Sequence, residues 1–453
     1  MTIDAQASAT SPSAPPRSRA LTWAVVALCT AAITVEGFDL IVYGVALPAM
    51  LGDGSLGLDK SLAGTLGSLA YAGMLIGALV CGPLADRLGR RRLLLASGTV
   101  FTVFTVACAL AAQPWQFGLF RLLAGIGMGG VMPSCVALSK EYAPRGRSAL
   151  VATVVLAGIP VGGVLAALTA TIWGEALGWR GLFGVGGALS VIVFAVAYFL
   201  LPDSRPGARP AAGAMHEPAR EAADEVVREP AREAADEVVR EGAREAADEV
   251  VSEATRDGEA AGVRTVLSSA YARHTILFTV ANFAVLLAWY GLNTWLTQLM
   301  REMDYPLGSA LRFTLVLNLG AVVGSFALAV LADRIGPRLV TAGSAVLAAV
   351  AVLALSQGGS TGVILGVTAL AGVGAQSALT MLNDWVASSY PASARATALG
   401  CVSGFGRGGA IVAPLLGGWI LDAAMGPTTV FYVFAAAAVV CAVALLAIPG
   451  RRG

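Results

Sequence analysis

Apolar residues run along the chain in long uninterrupted segments, and short polar stretches separate one segment from the next. About 20 residues of helix cross a hydrocarbon core of roughly 30 Å, so segments of this length can span a membrane. Twelve can be drawn, near residues 21–50, 62–84, 93–112, 115–140, 149–173, 181–201, 274–300, 311–331, 339–356, 361–390, 396–421 and 428–448. The pattern predicts an all-α membrane protein with 12 transmembrane helices.

A long polar stretch divides the twelve segments into six and six. This arrangement is typical of membrane proteins built from two equivalent bundles that rock about a central site. The hydropathy therefore predicts five regions. They are a disordered cytoplasmic N-terminus at 1–20, an N-terminal six-helix bundle at 21–202, a charged cytoplasmic linker at 203–273, a C-terminal six-helix bundle at 274–448 and a tail at 449–453.

The linker contains a repeat of twelve residues, which begins at Glu217 and again at Glu229 and Glu241. Its Ala, Glu and Arg residues favour helix, but Pro218 and Pro230 interrupt it. A period of twelve turns the apolar Val pair by about 120° per copy, so no continuous apolar stripe forms. We interpret the stretch as a solvated linker, and a regulatory or partner-binding arm is the alternative.

Lysine and arginine are unevenly distributed between the two sets of connecting loops. With the N-terminus inside, the short inner segments carry fourteen of them, and the outer loops carry only Lys60, Arg180, Arg301 and Arg312. The positive-inside rule then predicts cytoplasmic termini and a multi-pass protein of the plasma (inner) membrane. The net charge of +1, spread by loop rather than pooled, indicates a lipid bilayer and no nucleic acid as the partner.

Two acidic residues, Glu36 and Asp39, are the only charges in the first apolar segment. As positions i and i+3 of a helix they share a face, near the middle of the membrane. An ionisable group at that depth is costly, so it usually faces a water-filled cavity and marks a substrate or proton path. We predict that both acids couple transport to protons. An ion pair with a buried arginine is the structural alternative, and the two roles are compatible.

Arg121 in the fourth segment and Arg407 in the eleventh are also charges inside apolar segments. A guanidinium binds a carboxylate through two hydrogen bonds and stays charged. One of the two can hold an anionic substrate while the other neutralises an acid, or each can join two helices. The residues predicted to bind substrate are Arg121, Arg407, Asn293, Trp295, Gln376 and Tyr290. For the polar ones, hydrogen bonding between helices is the alternative.

The loop between the second and third segments has the pattern G-P-L-A-D-R-L-G-R-R-R, and L-A-D-R-I-G-P-R follows the eighth segment. An Asp-Arg pair at a helix end, beside a glycine that permits a tight turn, can latch a neighbouring helix in one conformation and release it in another. The residues predicted to take part in this conformational gating are Asp86, Arg87, Arg90, Glu141, Asp333, Arg334 and Arg395.

These loops and the six-plus-six layout resemble the major facilitator superfamily over all the spans, without the linker and tails. Within it, Glu36-Gly37-Phe38-Asp39 resembles the acidic D-G-[FY]-D element of the aromatic acid:proton symporters, the benzoate and 4-hydroxybenzoate carriers. Similar stretches are Phe120–Pro144, Tyr290–Leu296 and Tyr390–Gly418. The chain departs from that family at Glu36, where the family has Asp, at Thr297, where it usually has Pro, and at Asp384.

The resemblance implies proton-coupled symport of a small organic anion into the cell by alternating access. The expected substrate is an aromatic carboxylate such as a benzoate or hydroxybenzoate, and the expected functional unit is a monomer. A drug or metabolite exporter working by proton antiport is the alternative, but residues 158–163 depart from the G-P-x-x-G-G element of such exporters. A membrane sensor with the linker as its output arm is a further alternative.

Enzymatic activity is not expected from this sequence. The six cysteines lie in apolar stretches without C-x-x-C spacing, and the two histidines, His216 and His274, lie outside the interior of the spans. Neither a metal-ligand spacing nor a nucleophile with a nearby base is present. We therefore expect no metal and no cofactor, and the proton is the expected coupling ion.

Overall fold

The computed structural model describes residues 19–54, 56–144, 147–201, 264–268, 271–391 and 393–448. The predicted N-terminal segment, C-terminal tail and twelve-residue repeat lie outside them, apart from Arg19 and Ala20. The helices are α1 (Arg19–Gly52), α2 (Lys60–Leu88), α3 (Arg90–Leu110), α4 (Pro114–Tyr142), α5 (Ser148–Leu156), α6 (Gly158–Leu200), α7 (Ala272–Glu302), α8 (Leu307–Ile335), α9 (Pro337–Leu355), α10 (Thr361–Ser389), α11 (Arg395–Asp422) and α12 (Pro427–Leu446).

The described part of the chain contains 11 helical stretches long and apolar enough to cross a membrane. An all-helical architecture is expected for segments inside a membrane, because a helix satisfies its backbone hydrogen bonds internally where no water is present. The structure therefore confirms the predicted all-α membrane fold. The number twelve stays a prediction, since it depends on whether the long stretch Leu150–Leu200 counts once or twice.

That stretch of 51 residues is interrupted at two points. Pro160 lacks the N–H that would pair with the carbonyl of Leu156, and a break separates α5 from α6 just before it. Farther along, Gly178 has φ 59° and ψ −178° inside α6, a conformation that only glycine adopts readily. A continuous helix of this length would measure about 76 Å, more than twice the hydrocarbon thickness.

The turns predicted to carry the gating pattern have the same backbone geometry in both halves. Gly89 joins α2 to α3 with φ 80° and ψ 151°, and Gly336 joins α8 to α9 with φ 91° and ψ 148°. A side chain at either position would be strained, because positive φ brings Cβ against the backbone. The two glycines explain why the same short turn is built twice.

An arginine shortly after each turn donates a hydrogen bond to a carbonyl at or just beyond the end of the last helix of its own half. Arg91 donates to the carbonyl of Tyr198 at the end of α6, at 2.7 Å. Arg338 donates to the carbonyl of Ile448, just beyond α12, at 2.9 Å. The last carbonyls of a helix have no partner within the helix, and a cation there also opposes the negative end of the helix dipole. These arginines thus join the third helix of each half to its last.

The two halves are in contact at one end of the bundle, which we call the distal face. There α1 ends at Gly52, α2 begins at Lys60 and α7 ends at Glu302. Lys60 and Glu302 form a salt bridge of 2.6 Å between the halves. A Cβ at Gly64 of α2 would lie 2.5 Å from the carbonyl oxygen of Pro414 in α11, so the two backbones are in close contact.

At the opposite end, the proximal face, α2 ends and α7 begins. Lys140 of α4 and Asp384 of α10 are exposed there on opposite halves. The charge of Lys140 acts on Asp384, but no salt bridge joins the two side chains within the described chain. Among the described residues, a salt bridge therefore joins the halves at the distal face, and none joins Lys140 to Asp384 at the proximal face.

Candidate functional site

Asp39 forms a buried ion pair inside the N-terminal half. Arg121 of α4 donates to its carboxylate at 2.5 Å, and both side chains are about 1% exposed. Thr105 of α3 donates to the other carboxylate oxygen at 2.9 Å. The acid therefore has a charged and a neutral partner, which is the arrangement that makes a buried carboxylate tolerable.

Aromatic rings surround the guanidinium of this pair. The centre of the Arg121 guanidinium lies 5.4 Å from the ring centroid of Tyr43 and 5.8 Å from that of Phe183. Rings at this distance stabilise a cation and leave little room for water. The Tyr43 hydroxyl in turn donates to the carbonyl of Ala63 in α2. Asp39 and Arg121 thus join α1, α3 and α4 into one rigid unit.

Glu36 lies less than one turn before Asp39 on α1, but it has different surroundings. Its side chain is fully buried, and neither carboxylate oxygen has a hydrogen-bond partner among the described residues. The charges of Arg407 and Asp39 act on it. Positions i and i+3 differ by about 60° around a helix axis, which is enough to direct the two acids at different neighbours. The predicted pair is therefore two sites with separate partners.

Arg407 of α11 reaches from the C-terminal half toward the N-terminal half. It is half-buried, and its guanidinium donates to the carbonyl of Met74 in α2 over 3.4 Å. A bond of that length is weak, and most of the five donors of a guanidinium remain for another acceptor. The carboxylate of Glu36, which has no hydrogen-bond partner among the described residues, and the guanidinium of Arg407, which has unused N–H donors, therefore lie on opposite sides of the cleft.

Two tyrosines meet across the same interface. The ring of Tyr71 in α2 lies 4.7 Å from that of Tyr290 in α7, centroid to centroid, and both side chains are buried. The charges of Arg407 and Glu36 act on Tyr290. The tyrosine pair is therefore next to the unpaired acid and base.

The other predicted substrate residues of α7 are engaged in contacts between helices. Asn293 donates to the carbonyl of Trp289, and its oxygen accepts a hydrogen bond of 2.9 Å from Asn318 in α8. Trp295 is fully buried, and its indole N–H donates to the carbonyl of Pro414 at 3.1 Å. These bonds have the geometry of the structural alternative, the joining of helices.

Gln376 of α10 is buried, and its side-chain oxygen has no hydrogen-bond partner among the described residues. A buried acceptor without a partner costs about 1–3 kcal/mol. Among the uncharged residues predicted to bind substrate, Gln376 is therefore the one whose side-chain oxygen has no hydrogen-bond partner in the described structure.

The predicted gating residues lie at the proximal face. Arg90 and Glu141 form a salt bridge between the start of α3 and the end of α4. Arg87, Asp333, Arg334 and Arg395 are exposed at helix ends, and Asp86 lies in the last turn of α2. One ion pair thus joins two helices of the same half.

Several residues of the site were not predicted from the sequence, among them Thr105 and Tyr71. Thr105 is a lone hydroxyl in an apolar helix, which by itself indicates nothing. Tyr71 lies well inside its span, whereas tyrosines more often lie at the two membrane interfaces. That position was the available signal for a functional tyrosine.

Two helical bundles with charged groups between them are the architecture of membrane transporters built from two halves. The family model described as Major Facilitator Superfamily matches residues 29–327 and again residues 278–453. The chain belongs to this superfamily. It is a multi-pass protein of the bacterial plasma membrane and not an enzyme, which confirms both predictions.

Curated relatives place the chain among the aromatic acid transporters of the superfamily, which confirms the resemblance inferred from its motifs. It is 36% identical to the gentisate transporter of Corynebacterium glutamicum over 91% of this chain and 84% of the relative. It is 32% identical to the benzoate transport protein of Acinetobacter baylyi over 88% and 84%. It is 31% identical to a 4-hydroxybenzoate transporter of the same organism, again over 88% and 84%.

Solved structures agree on the fold. The D-xylose-proton symporter superimposes with a TM-score of 0.71 over 94% of this chain and 98% of that one, at 14% identity. A bacterial homologue of the human lysosomal transporter Spinster superimposes with a TM-score of 0.68 over 95% and 96%, at 18% identity. At these identities the likeness concerns the fold alone.

Proposed function

We propose that this protein takes up a small aromatic carboxylate together with protons, by alternating access. The relatives that cover most of the chain carry gentisate, benzoate and 4-hydroxybenzoate, which all combine a ring with a carboxylate. The relatives support an aromatic carboxylate as the substrate, and the site must then supply a cation for the carboxylate and a group that carries the proton.

The observation that carries the proposal is the position of Glu36 opposite Arg407. The acid belongs to the N-terminal half, the base belongs to the C-terminal half, and they do not form an ion pair in the described structure. In our proposal Arg407 binds the substrate carboxylate, and Glu36 holds the transported proton. Arg121 is occupied by Asp39, so that pair supports the N-terminal half.

Coupling follows from charge. A substrate anion beside a deprotonated Glu36 brings two negative charges together in a poorly solvated cleft, which is unfavourable. Protonation of Glu36 removes one of them and lets the anion approach Arg407. One proton carried with one monovalent anion makes transport electroneutral. The membrane potential, which changes the free energy of moving one charge by about 2.3 kcal/mol per 100 mV, then does not oppose uptake.

We also propose the topology that the sequence predicted. The stretch Leu150–Leu200 crosses the membrane twice with Gly178 at its turn, which makes twelve spans. The excess of basic residues at the proximal face then assigns that face, and both termini, to the cytoplasm. We propose further that a monomer is the functional unit.

The test is uptake of labelled benzoate and hydroxybenzoates into proteoliposomes with an imposed pH gradient. Acid outside the vesicle should drive accumulation above the external concentration, and a protonophore should abolish it. Asp422→Asn is a matched control, because it removes an exposed carboxylate at the distal end of α11. If the uptake of every aromatic acid tested is independent of the pH gradient, coupled transport is contradicted. Efflux driven by the gradient would favour an exporter.

A further inference from the structure

Arg407 lies in a stretch of α11 that is rich in glycine. The sequence from position 404 to position 409 is Gly-Phe-Gly-Arg-Gly-Gly, so four of these six residues have no side chain. Glycine weakens the interior of a helix, because it loses more backbone freedom on folding than any other residue. The hydrogen bond of 3.4 Å from Arg407 to the carbonyl of Met74 is also weak. Neither the local helix nor that bond therefore fixes the direction of the guanidinium.

A side chain of α7 fills the space beside one of these glycines. Asn282 is only 2% exposed, and its amide nitrogen, Nδ2, donates to the carbonyl of Val402 in α11 at 3.0 Å. A Cβ on Gly406 would collide with that same nitrogen. The helical ladder assigns the carbonyl of Val402 to the N–H of Gly406, and a carbonyl oxygen can accept a second bond. The amide of Asn282 is therefore bonded to the turn of α11 that leads into Arg407.

The backbones of α7 and α11 also meet just after Arg407. A Cβ on Gly409 would collide with the carbonyl oxygen of Phe283, the residue that follows Asn282. Helices approach this closely only where one of them presents a residue without a side chain. α7 therefore holds α11 on both sides of Arg407, with the hydrogen bond of Asn282 on the side that precedes it.

The presence of Asn282 has a cost that helix packing alone does not require. Its side-chain oxygen, Oδ1, has no hydrogen-bond partner among the described residues, and a buried polar atom without a partner destabilises the fold. The buried residues around it on α7 are apolar: Phe278, Ala281 and Val285. A leucine would have almost the same shape without that cost, but it could not donate to Val402. The N–H of the amide is therefore what distinguishes asparagine at this position.

We propose that Asn282 is a positioning residue, which fixes the rotation of α11 so that the Arg407 guanidinium meets the substrate carboxylate through two donors. This inference rests on the proposed function, in which Arg407 binds the carboxylate. A two-donor contact requires the guanidinium and the carboxylate to be aligned, so it is sensitive to a rotation of the helix. Asn282 acts through Arg407 and does not touch the substrate.

The experiment measures the KM and the maximal rate of uptake in proteoliposomes, with whichever of benzoate and the hydroxybenzoates is taken up fastest. Asn282→Ala removes the bond to α11 and leaves Arg407 with one well-placed donor instead of two. It should raise the KM about 10-fold, the factor that corresponds to one hydrogen bond to a charged group. The maximal rate should change less than the KM.

Gly406→Ala tests the same contact from the other helix. Its Cβ would collide with the Asn282 amide, so the KM should rise here as well. Gly404→Ala is the matched control on α11, because no described atom lies within 4 Å of its Cβ position, and its KM should stay near the unmodified value. Asn282→Ala added to Gly406→Ala relieves the collision. The double variant should therefore have a lower KM than Gly406→Ala alone.

A second pair of substitutions separates a positioning role from a merely structural one. Arg407→Lys has already lost the planar pair of donors, so adding Asn282→Ala should raise its KM little further. Thr275→Val is the control for general damage to α7, because it removes a buried hydroxyl bonded to the Tyr390 hydroxyl at 2.8 Å near the proximal end of the helix. It should lower the Tm and leave the KM unchanged.

The proposal is overturned if Asn282→Ala leaves the KM unchanged, or if its effect and that of Arg407→Lys simply multiply. It is also overturned if Gly406→Ala and Gly404→Ala have the same KM. That last comparison decides if Asn282→Ala fails to accumulate in the membrane.

The same measurements separate this inference from the proposed function. If Arg407→Lys raises the KM and Asn282→Ala does not, the proposed function stands and the role of Asn282 is wrong. If Arg407→Lys has a normal KM, Arg407 does not bind the carboxylate and both are wrong. If uptake ignores the pH gradient but the expected changes in KM are found, proton coupling is wrong and the role of Asn282 stands.

Discussion

Arg121 donates to the Asp39 carboxylate at 2.5 Å, in a part of the N-terminal half where both side chains are about 1% exposed. Glu36, on the same helix, has no hydrogen-bond partner among the described residues. Two acids that look equivalent in the sequence are therefore unlike in the fold. The first prediction concerns the paired acid, and the second concerns the unpaired one.

Asp39→Asn should destabilise the protein. The substitution leaves the Arg121 guanidinium buried without a counter-charge, and breaking a buried ion pair in this way costs about 3–5 kcal/mol. Thermal unfolding of the purified protein in detergent should show a clearly lower Tm. The double variant Asp39→Asn with Arg121→Gln removes the stranded charge and should recover much of the loss. An unchanged Tm in the single variant would contradict a structural role for the pair.

Glu36→Gln should leave stability almost unchanged and abolish proton-driven accumulation. Glutamine has nearly the same shape and breaks no hydrogen bond that the described structure contains. It stays neutral, so it neither takes up nor releases a proton, and exchange of labelled for unlabelled substrate across the membrane should continue. The measurement is uptake under a pH gradient beside counterflow without one. Loss of both activities would mean that the carboxylate is needed for binding rather than for coupling.

Glu36→Asp should be tolerated and keep gradient-driven uptake, because the carboxylate remains and retreats by one methylene. Asp is also the residue that the aromatic acid:proton symporters have at this position. A dead Glu36→Asp variant in the same assay, at normal abundance in the membrane, would show that the reach of the side chain toward the cleft decides its role.

The sequence predicted the helices well, and it predicted the partners of their charged side chains poorly. Apolar length determines a span locally, so the helical segments and the two glycine turns at Gly89 and Gly336 followed from short stretches. The choice of Arg121 rather than Arg407 as partner of Asp39 depends on how α1, α4 and α11 pack. That choice is a long-range property, and hydropathy contains no information on it. Tyr71 escaped notice for the same reason, because its partner Tyr290 lies in the other half.

Arg407→Lys should raise the KM for an aromatic acid more than it lowers the maximal rate. Lysine keeps the charge but loses the planar pair of donors that fits a carboxylate. Arg407→Gln, which also loses the charge, should be more severe. The measurement is the KM and maximal rate of gradient-driven uptake. A normal KM in both variants would contradict the assignment of Arg407 to the substrate.

Gly64→Ala should weaken closure of the distal face. The added Cβ would lie 2.5 Å from the backbone oxygen of Pro414, so the halves must separate there. Spin labels at positions Ser61 and Arg301, in a background without the native cysteines, should move apart, and transport should slow. Gly184→Ala is the matched control, because no described atom lies within 4 Å of its Cβ position. Equal distances in the two variants would contradict the close crossing of α2 and α11.

Lys140 and Asp384 should meet at the proximal face when that face closes. They lie on opposite halves, are exposed, and attract each other in the described conformation without forming a salt bridge there. Asp384→Lys should slow transport, because two like charges then oppose closure, and Lys140→Asp should do the same through a pair of carboxylates. The exchange of both residues restores opposite charges and should recover most of the rate, with the loss in each single variant reduced at high salt. If the fractional losses of transport rate in the two single variants simply multiply in the double variant, the two residues never meet in the transport cycle.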